Sequence, residues 1–193
     1  MLMQVITTLK AAFQGWNLSW SGLIRNAQGE WWFVAQITLI VAVIVSPAWP
    51  LPLKTTPTSI HQTLVLAGGL ILLMGLGFAA TAFMALGENL SPLPDPKPGI
   101  QIVRQGPYRW CRHPMYLAVL ACAFGVLLMR QSPLQVILLI CLGLVLRGKA
   151  QREERCLVAS HPEYAATMGQ TPAIAAVIPG LNWRLPDGPS NEG

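Results

Sequence analysis

Charge is scarce in this chain. Only 11% of its 193 residues are Asp, Glu, Lys or Arg, where an ordinary soluble domain carries about 25%. With 53% apolar residues beside that scarcity, a soluble core is excluded and an integral membrane protein is expected. Cysteine and histidine are few as well. Cys111, Cys122, Cys141 and Cys156 and the three histidines show no metal-ligand spacing, so no metal site is expected. Cys122 and Cys141 suit buried small apolar positions. There is no phosphate-binding glycine loop and no dinucleotide fingerprint. Acids are the rarest charges, eight against 13 Lys and Arg. The resulting net charge of +5 needs no nucleic-acid partner, because basic loops beside anionic headgroups account for it.

What the chain has in quantity is apolar sequence. Residues 1–14 place Leu2, Val5, Ile6, Leu9 and Phe13 near one helical face, an amphipathic segment suited to the membrane interface. Lys10 follows these apolar residues instead of preceding them, unlike a cleaved signal. Four spans follow. The first runs from about Trp31 to Ala48, with Trp31, Trp32 and Trp49 at its interfaces, and the second from about His61 to Leu86. Gly68, Gly69, Gly75 and Gly77 in the second would let neighbouring helices approach. The linker from Gly87 to Gln105 holds Pro92, Pro94, Pro96 and Pro98 and is expected to be extended, without regular structure. A hairpin comes next: Pro114 to about Met129, a turn at Arg130-Gln131-Ser132-Pro133, and a return through Leu134 to Leu146 and past Arg147. Each apolar run of the hairpin is short for an independent crossing. Beyond Tyr164 the tail is weakly patterned.

All Lys and Arg except Lys54 and Arg130 fall on one side of this four-span arrangement. The positive-inside rule puts that side in the cytoplasm, with both termini. The expected fold is therefore all-α: a polytopic transmembrane bundle of about four spans in one domain, residues 1–193, with the N-terminal amphipathic segment and a C-terminal cytoplasmic helix. Membrane lipids are the expected surroundings. The oligomeric state is left open.

Two polar clusters stand out. One is Gly106-Pro107-Tyr108-Arg109-Trp110-Cys111-Arg112-His113-Pro114-Met115-Tyr116. Pro114 suits the first position of a helix, and the residue before a proline is pushed out of the α region. His113 is thus held at the mouth of an apolar helix. An interfacial anchor explains Arg109, Trp110 and Arg112 equally well, but not the His-Pro step. The other cluster is Arg152-Glu153-Glu154-Arg155. Counted from the hairpin turn, His113 and Glu153 lie within roughly 5 Å of one height by helix rise. Adjacent acids on a helix are often a solvated, charge-paired face. Two clusters joined by one hairpin make a stronger signal.

Arg112-His113-Pro114-x-Tyr116, an apolar hairpin and Glu153-Glu154 together resemble the isoprenylcysteine carboxyl methyltransferase family and its phospholipid methyltransferase relatives. The likeness extends to Gly106-Pro107-Tyr108, Pro162-Glu163-Tyr164 and Ile178-Pro179, and so covers residues 87–179 as a methyltransferase-like core. It implies S-adenosyl-L-methionine as cofactor, contacted at Tyr108, His113, Pro114, Met115, Tyr116 and Glu153, with Glu154 as a second acid and Ile100-Gln101-Ile102-Val103 as a backbone wall. It implies a lipophilic methyl acceptor, with Lys149 at the position of a substrate-holding basic residue. Lys149 and Arg112 are the expected catalytic residues. Two departures bear on the acceptor. Lys149 stands where an arginine is expected, losing bidentate geometry, and Thr167 stands where a tyrosine is common. A prenylcysteine-type carboxylate is the favoured acceptor. A phospholipid amine, a small thiol, an NADPH-dependent membrane reductase and a non-catalytic membrane protein retaining the fold are the alternatives.

Overall fold

The computed structural model of the chain describes residues 24–26, 28–48, 57–91, 93–95, 102–161 and 163–186. The amphipathic segment 1–14, Trp49, Lys54, Ile100 and Gln101 lie outside these residues. The described chain is all-α, with five helices: α1 Glu30–Val45, α2 Thr58–Leu86, α3 Pro114–Arg130, α4 Pro133–Ser160 and α5 Glu163–Met168. Short 3-10 turns occupy Gly87–Asn89 and Gly106–Arg109. The linker expected to lack regular structure therefore begins with one such turn.

Two helices, α2 and α4, are long and apolar enough to cross a membrane, and α1 and α3 are shorter apolar helices. The 16 residues of α1 and the 17 of α3 reach about 24 and 26 Å, under the ~30 Å of a bilayer core. The four expected apolar helices are present, and two of them have spanning length. Their outer faces are apolar too. Ile37, Val41 and Ile44 on α1, Leu66, Leu70 and Leu73 on α2, and Ile137, Ile140 and Leu144 on α4 are all exposed. Each trio repeats at helical spacing, so each forms a stripe. Stripes of that size facing outward belong in lipid, not water.

α3 is the hub. α2 packs chiefly on one side of it, and α4 and α1 pack on the other. Gly68 and Gly75 make the α2–α3 seam possible. A methyl at Gly68 would lie 2.5 Å from the Gly125 carbonyl oxygen, and one at Gly75 would lie 2.7 Å from Cys122 Sγ. Small residues let the backbones meet, which is how helices gain packing energy in lipid. Gly69 and Gly77 were expected in the same role, but nothing lies within 4 Å of their missing side chains. At one residue after Gly68 and two after Gly75, they turn onto other faces of the helix.

The hairpin closes as the turn residues require. Gln131 takes the left-handed conformation at φ 50°, Ser132 precedes the helix, and Pro133 opens α4. Arg130 then donates to the carbonyls of Ile44 and Ser46 at the end of α1, where the last carbonyls of a helix lack partners of their own. Gln135 adds a 2.9 Å bond to Ser46 Oγ. This fixes α1 to the hairpin tip. At the opposite end the core of Leu142, Leu146, Ala150, Tyr116, Leu120 and Ile174 carries the polar clusters.

The tail is more ordered than its pattern suggests. α5 is only six residues long, so the expected C-terminal helix is a single short one. The following chain folds back under α3, where Pro172 O accepts from Arg112 N at 2.8 Å and Ala173 O from His113 N at 3.0 Å. The N–H groups ahead of this proline-started helix are satisfied there instead of by water.

Candidate functional site

His113 has φ −124° and ψ 62°, outside the α region, as the residue before Pro114 must be. This directs its ring across to α4. His113 Nε2 lies 2.9 Å from Glu154 Oε1, and Nδ1 lies 3.5 Å from Glu153 Oε2. The two clusters do meet at one level. Accepting at Glu154 assigns the Nε2 hydrogen, leaving Nδ1 turned toward Glu153.

The two adjacent acids have different surroundings. Glu154 is fully buried. Its Oε1 accepts from Arg112 Nε at 2.7 Å as well as from His113, and its Oε2 accepts from Trp183 Nε1 at 2.6 Å. Arg112 spends the rest of its fork on the carbonyls of Thr171 and Trp183. A buried ion pair of this kind holds only when its remaining hydrogen-bonding groups are satisfied, and here they are. Arg112 is only 4% exposed, so the interfacial-anchor reading fits Arg109 and Trp110, which are exposed, but not Arg112.

Glu153 looks the other way, and its side chain stays 19% exposed. Tyr116 donates its hydroxyl to Oε1 and stacks on His113 with ring centroids 5.3 Å apart. One turn back on α4, Lys149 is 3% exposed. Its ammonium donates to Gln36 Oε1 at 2.8 Å and lies over the rings of Tyr116 and Phe33, at 5.4 and 5.9 Å from their centroids. No carboxylate pairs directly with it among the described residues. Two ring faces and one amide oxygen are modest compensation for a buried cation.

Tyr108 is buried above this centre. Burial first, and the Glu153 charge second, push its phenol well above the ordinary tyrosine range. It is a neutral donor at physiological pH. Cys111 is pushed up to about 11 by burial, which keeps it a thiol at physiological pH. Pro114 is buried and Met115 packs on the core. Ile102 packs against Val158, Tyr164 and Met168, and Val103 is half-buried beside it.

Sequence reasoning missed Trp183, Thr171, Gln36 and Phe33. Gln36 had a usable signal, because a lone amide inside an otherwise apolar helix marks a polar partner. Trp183 had little, since its partner Glu154 lies 29 residues away. Asp95 was missed too. It clasps Arg152 through Nε at 2.9 Å and Nη2 at 3.1 Å, holding the linker against α4.

Two apolar helices of spanning length, with a polar centre at one end of the bundle, point to a helical membrane protein with a candidate site at that end. The chain belongs to the phospholipid methyltransferase family, whose sequence profile (PEMT) matches residues 63–169. These are membrane methyltransferases that use S-adenosylmethionine as methyl donor. The match takes in Arg112 to Tyr116, the hairpin and both acids, and begins earlier than the expected core at 87. The chain is also 32% identical over 74 residues to the cobalt-zinc-cadmium resistance protein CzcN of Cupriavidus metallidurans. That stretch covers 38% of this chain and 34% of the relative, so the chain spans about a third of that protein's length. No solved structure matches the chain.

Proposed function

We propose that this protein transfers a methyl group from S-adenosyl-L-methionine to a lipophilic acceptor bearing a carboxylate, of the prenylcysteine type, at the cytoplasmic membrane face. The observation that carries the acceptor class is Lys149. A buried ammonium with no directly paired carboxylate among the described residues, and only the nearby Glu153 charge to offset it, has room in its electrostatics for an anionic group, and disfavours a cationic amine. It sits one helical turn from Glu153, so acceptor and cofactor sites adjoin.

The residues present fit the cofactor. Glu153 keeps an oxygen and partial exposure, suited to a ribose hydroxyl or an α-ammonium group. The Tyr108 phenol has no hydrogen-bond partner among the described residues and can donate. The stacked His113 and Tyr116 rings offer a flat aromatic surface to a base or a sulfonium. Bound there, the cofactor supplies an electrophilic methyl group. The protein's own work is positioning and exclusion of water, which general acid–base chemistry need not supplement for a carboxylate nucleophile. Arg112 and Glu154 are assigned to positioning, because every polar atom of the pair already has a protein partner.

Lys149→Met tests the acceptor. Affinity for S-adenosylhomocysteine, measured by calorimetry, should stay near wild type, while methyl transfer to a prenylcysteine-type carboxylate falls by roughly tenfold or more, the loss of one charge-assisted bond. Full activity in the variant would remove Lys149 from the site. A gain on a lipid amine would move the assignment to amine acceptors.

Orientation is tested separately. The basic rim predicts that a reporter at Pro96 lies in the cytoplasm and one near Thr56 on the far side. Both reporters on one side would contradict this arrangement.

A further inference from the structure

Between α2 and α3 lies a cleft of about 920 Å³ that no residue of the candidate site lines. Ile71 and Phe78 of α2 and Leu117 and Ala121 of α3 form its walls. From Thr81 to Ile71, both of which line it, it runs about 15 Å along the helix axis. At its rim end Trp110 stacks on Phe78 with ring planes 2° apart, and Trp110 is 71% exposed. Arg109 stands at the mouth, exposed and without an ion-pair partner among the described residues.

We propose that this cleft is a lipid site, holding one hydrocarbon chain of an anionic phospholipid of the surrounding leaflet with its phosphate paired to Arg109. The walls are apolar and lie along the helix of greatest spanning length, so the cleft opens toward hydrocarbon. Arg109, the one cation among the described lining residues, is at the end where the headgroups of that leaflet would lie. Trp110 beside it has the amphipathic ring that favours this depth. Charge at the mouth selects an anionic headgroup over a zwitterionic one, and guanidinium matches phosphate geometry. The occupant is distinct from the methyl acceptor. Tyr116 reaches Glu153 on the α4 side of α3, while the cleft lies on the α2 side, so the helix itself stands between them.

Gly77 makes the test clean. It lines the cleft, and a side chain added there meets nothing within 4 Å, as is also true of Gly69, which does not line it. Gly77→Leu should fill the cleft and Gly69→Leu should not, at equal cost in helix propensity. Protein in neutral detergent is mixed with phosphatidylglycerol or phosphatidylcholine, and retained lipid is counted by native mass spectrometry. Wild type and Gly69→Leu should retain phosphatidylglycerol roughly fivefold better, the effect of one basic residue near an anionic headgroup. Arg109→Gln should abolish that preference, and Gly77→Leu should lose retention of both lipids. If Gly77→Leu fails to fold, Arg109→Gln on its exposed turn decides alone. No preference in wild type, or equal retention by the two leucine variants, overturns the proposal. So does recovery of the retained lipid with an added methyl group after S-adenosylmethionine is supplied, because the occupant would then be the acceptor. Loss of methyl transfer in Lys149→Met bears on the acceptor site and leaves this result untouched.

Discussion

Glu154→Gln should cost this protein its fold before it costs it a ligand. The substitution keeps the size and removes the charge that Arg112 Nε, His113 Nε2 and Trp183 Nε1 all address. The Arg112 guanidinium is left buried without its counter-ion, and breaking a buried pair from one side costs about 3–5 kcal/mol. Three segments lose a shared anchor at once: the loop before α3, α4, and the tail at Trp183. The measurement is thermal unfolding in detergent micelles beside wild type, and the expected result is a large drop in midpoint with low recovered yield. A variant as stable as wild type that had lost only cofactor affinity would make Glu154 a ligand-contacting residue instead of a positioning one.

The neighbouring acid should behave in the opposite way. Glu153→Gln removes a charge that Tyr116 and, more distantly, His113 address and that remains partly exposed. Yield and unfolding midpoint should stay close to wild type. Affinity for S-adenosylhomocysteine should fall by tenfold or more, since a hydrogen bond to a charged group contributes about 1.5–3 kcal/mol. Calorimetric titration reads this directly. Unaltered affinity in a well-folded variant would return Glu153 to a solvated helix face and leave the cofactor site elsewhere. The pair of variants separates two roles that the sequence alone presents as a single repeated letter.

That repeated letter shows what was legible and what was not. Helix periods, the turn around Gln131 and the His-Pro step are local signals, and the hairpin followed from them. Counting rise per residue from the turn placed His113 level with Glu153, because straight apolar helices carry a register over long distances. The same counting could not tell Glu153 from Glu154. Which of two adjacent acids is sealed depends on Trp183 and the carbonyl of Thr171, brought in by a tail with no periodic pattern. Arg112 was ambiguous for the same reason: its burial comes from residues about 60 and 70 positions away. The glycines of α2 illustrate a finer limit. Composition marks all four as permissive, but only the face turned toward α3 uses that permission, and the face is set by the partner helix.

The tail has one more consequence, for biogenesis. The backbone bonds from Arg112 and His113 end on Pro172 and Ala173, and the second oxygen of Glu154 ends on Trp183. None of these contacts can exist while the ribosome is still adding those residues. The apolar helices, by contrast, need only one another and can enter the bilayer as they emerge, N-terminal elements first. The polar centre is thus the last part of the described bundle to lock, and during synthesis Arg112 and Glu154 wait with an incomplete shell.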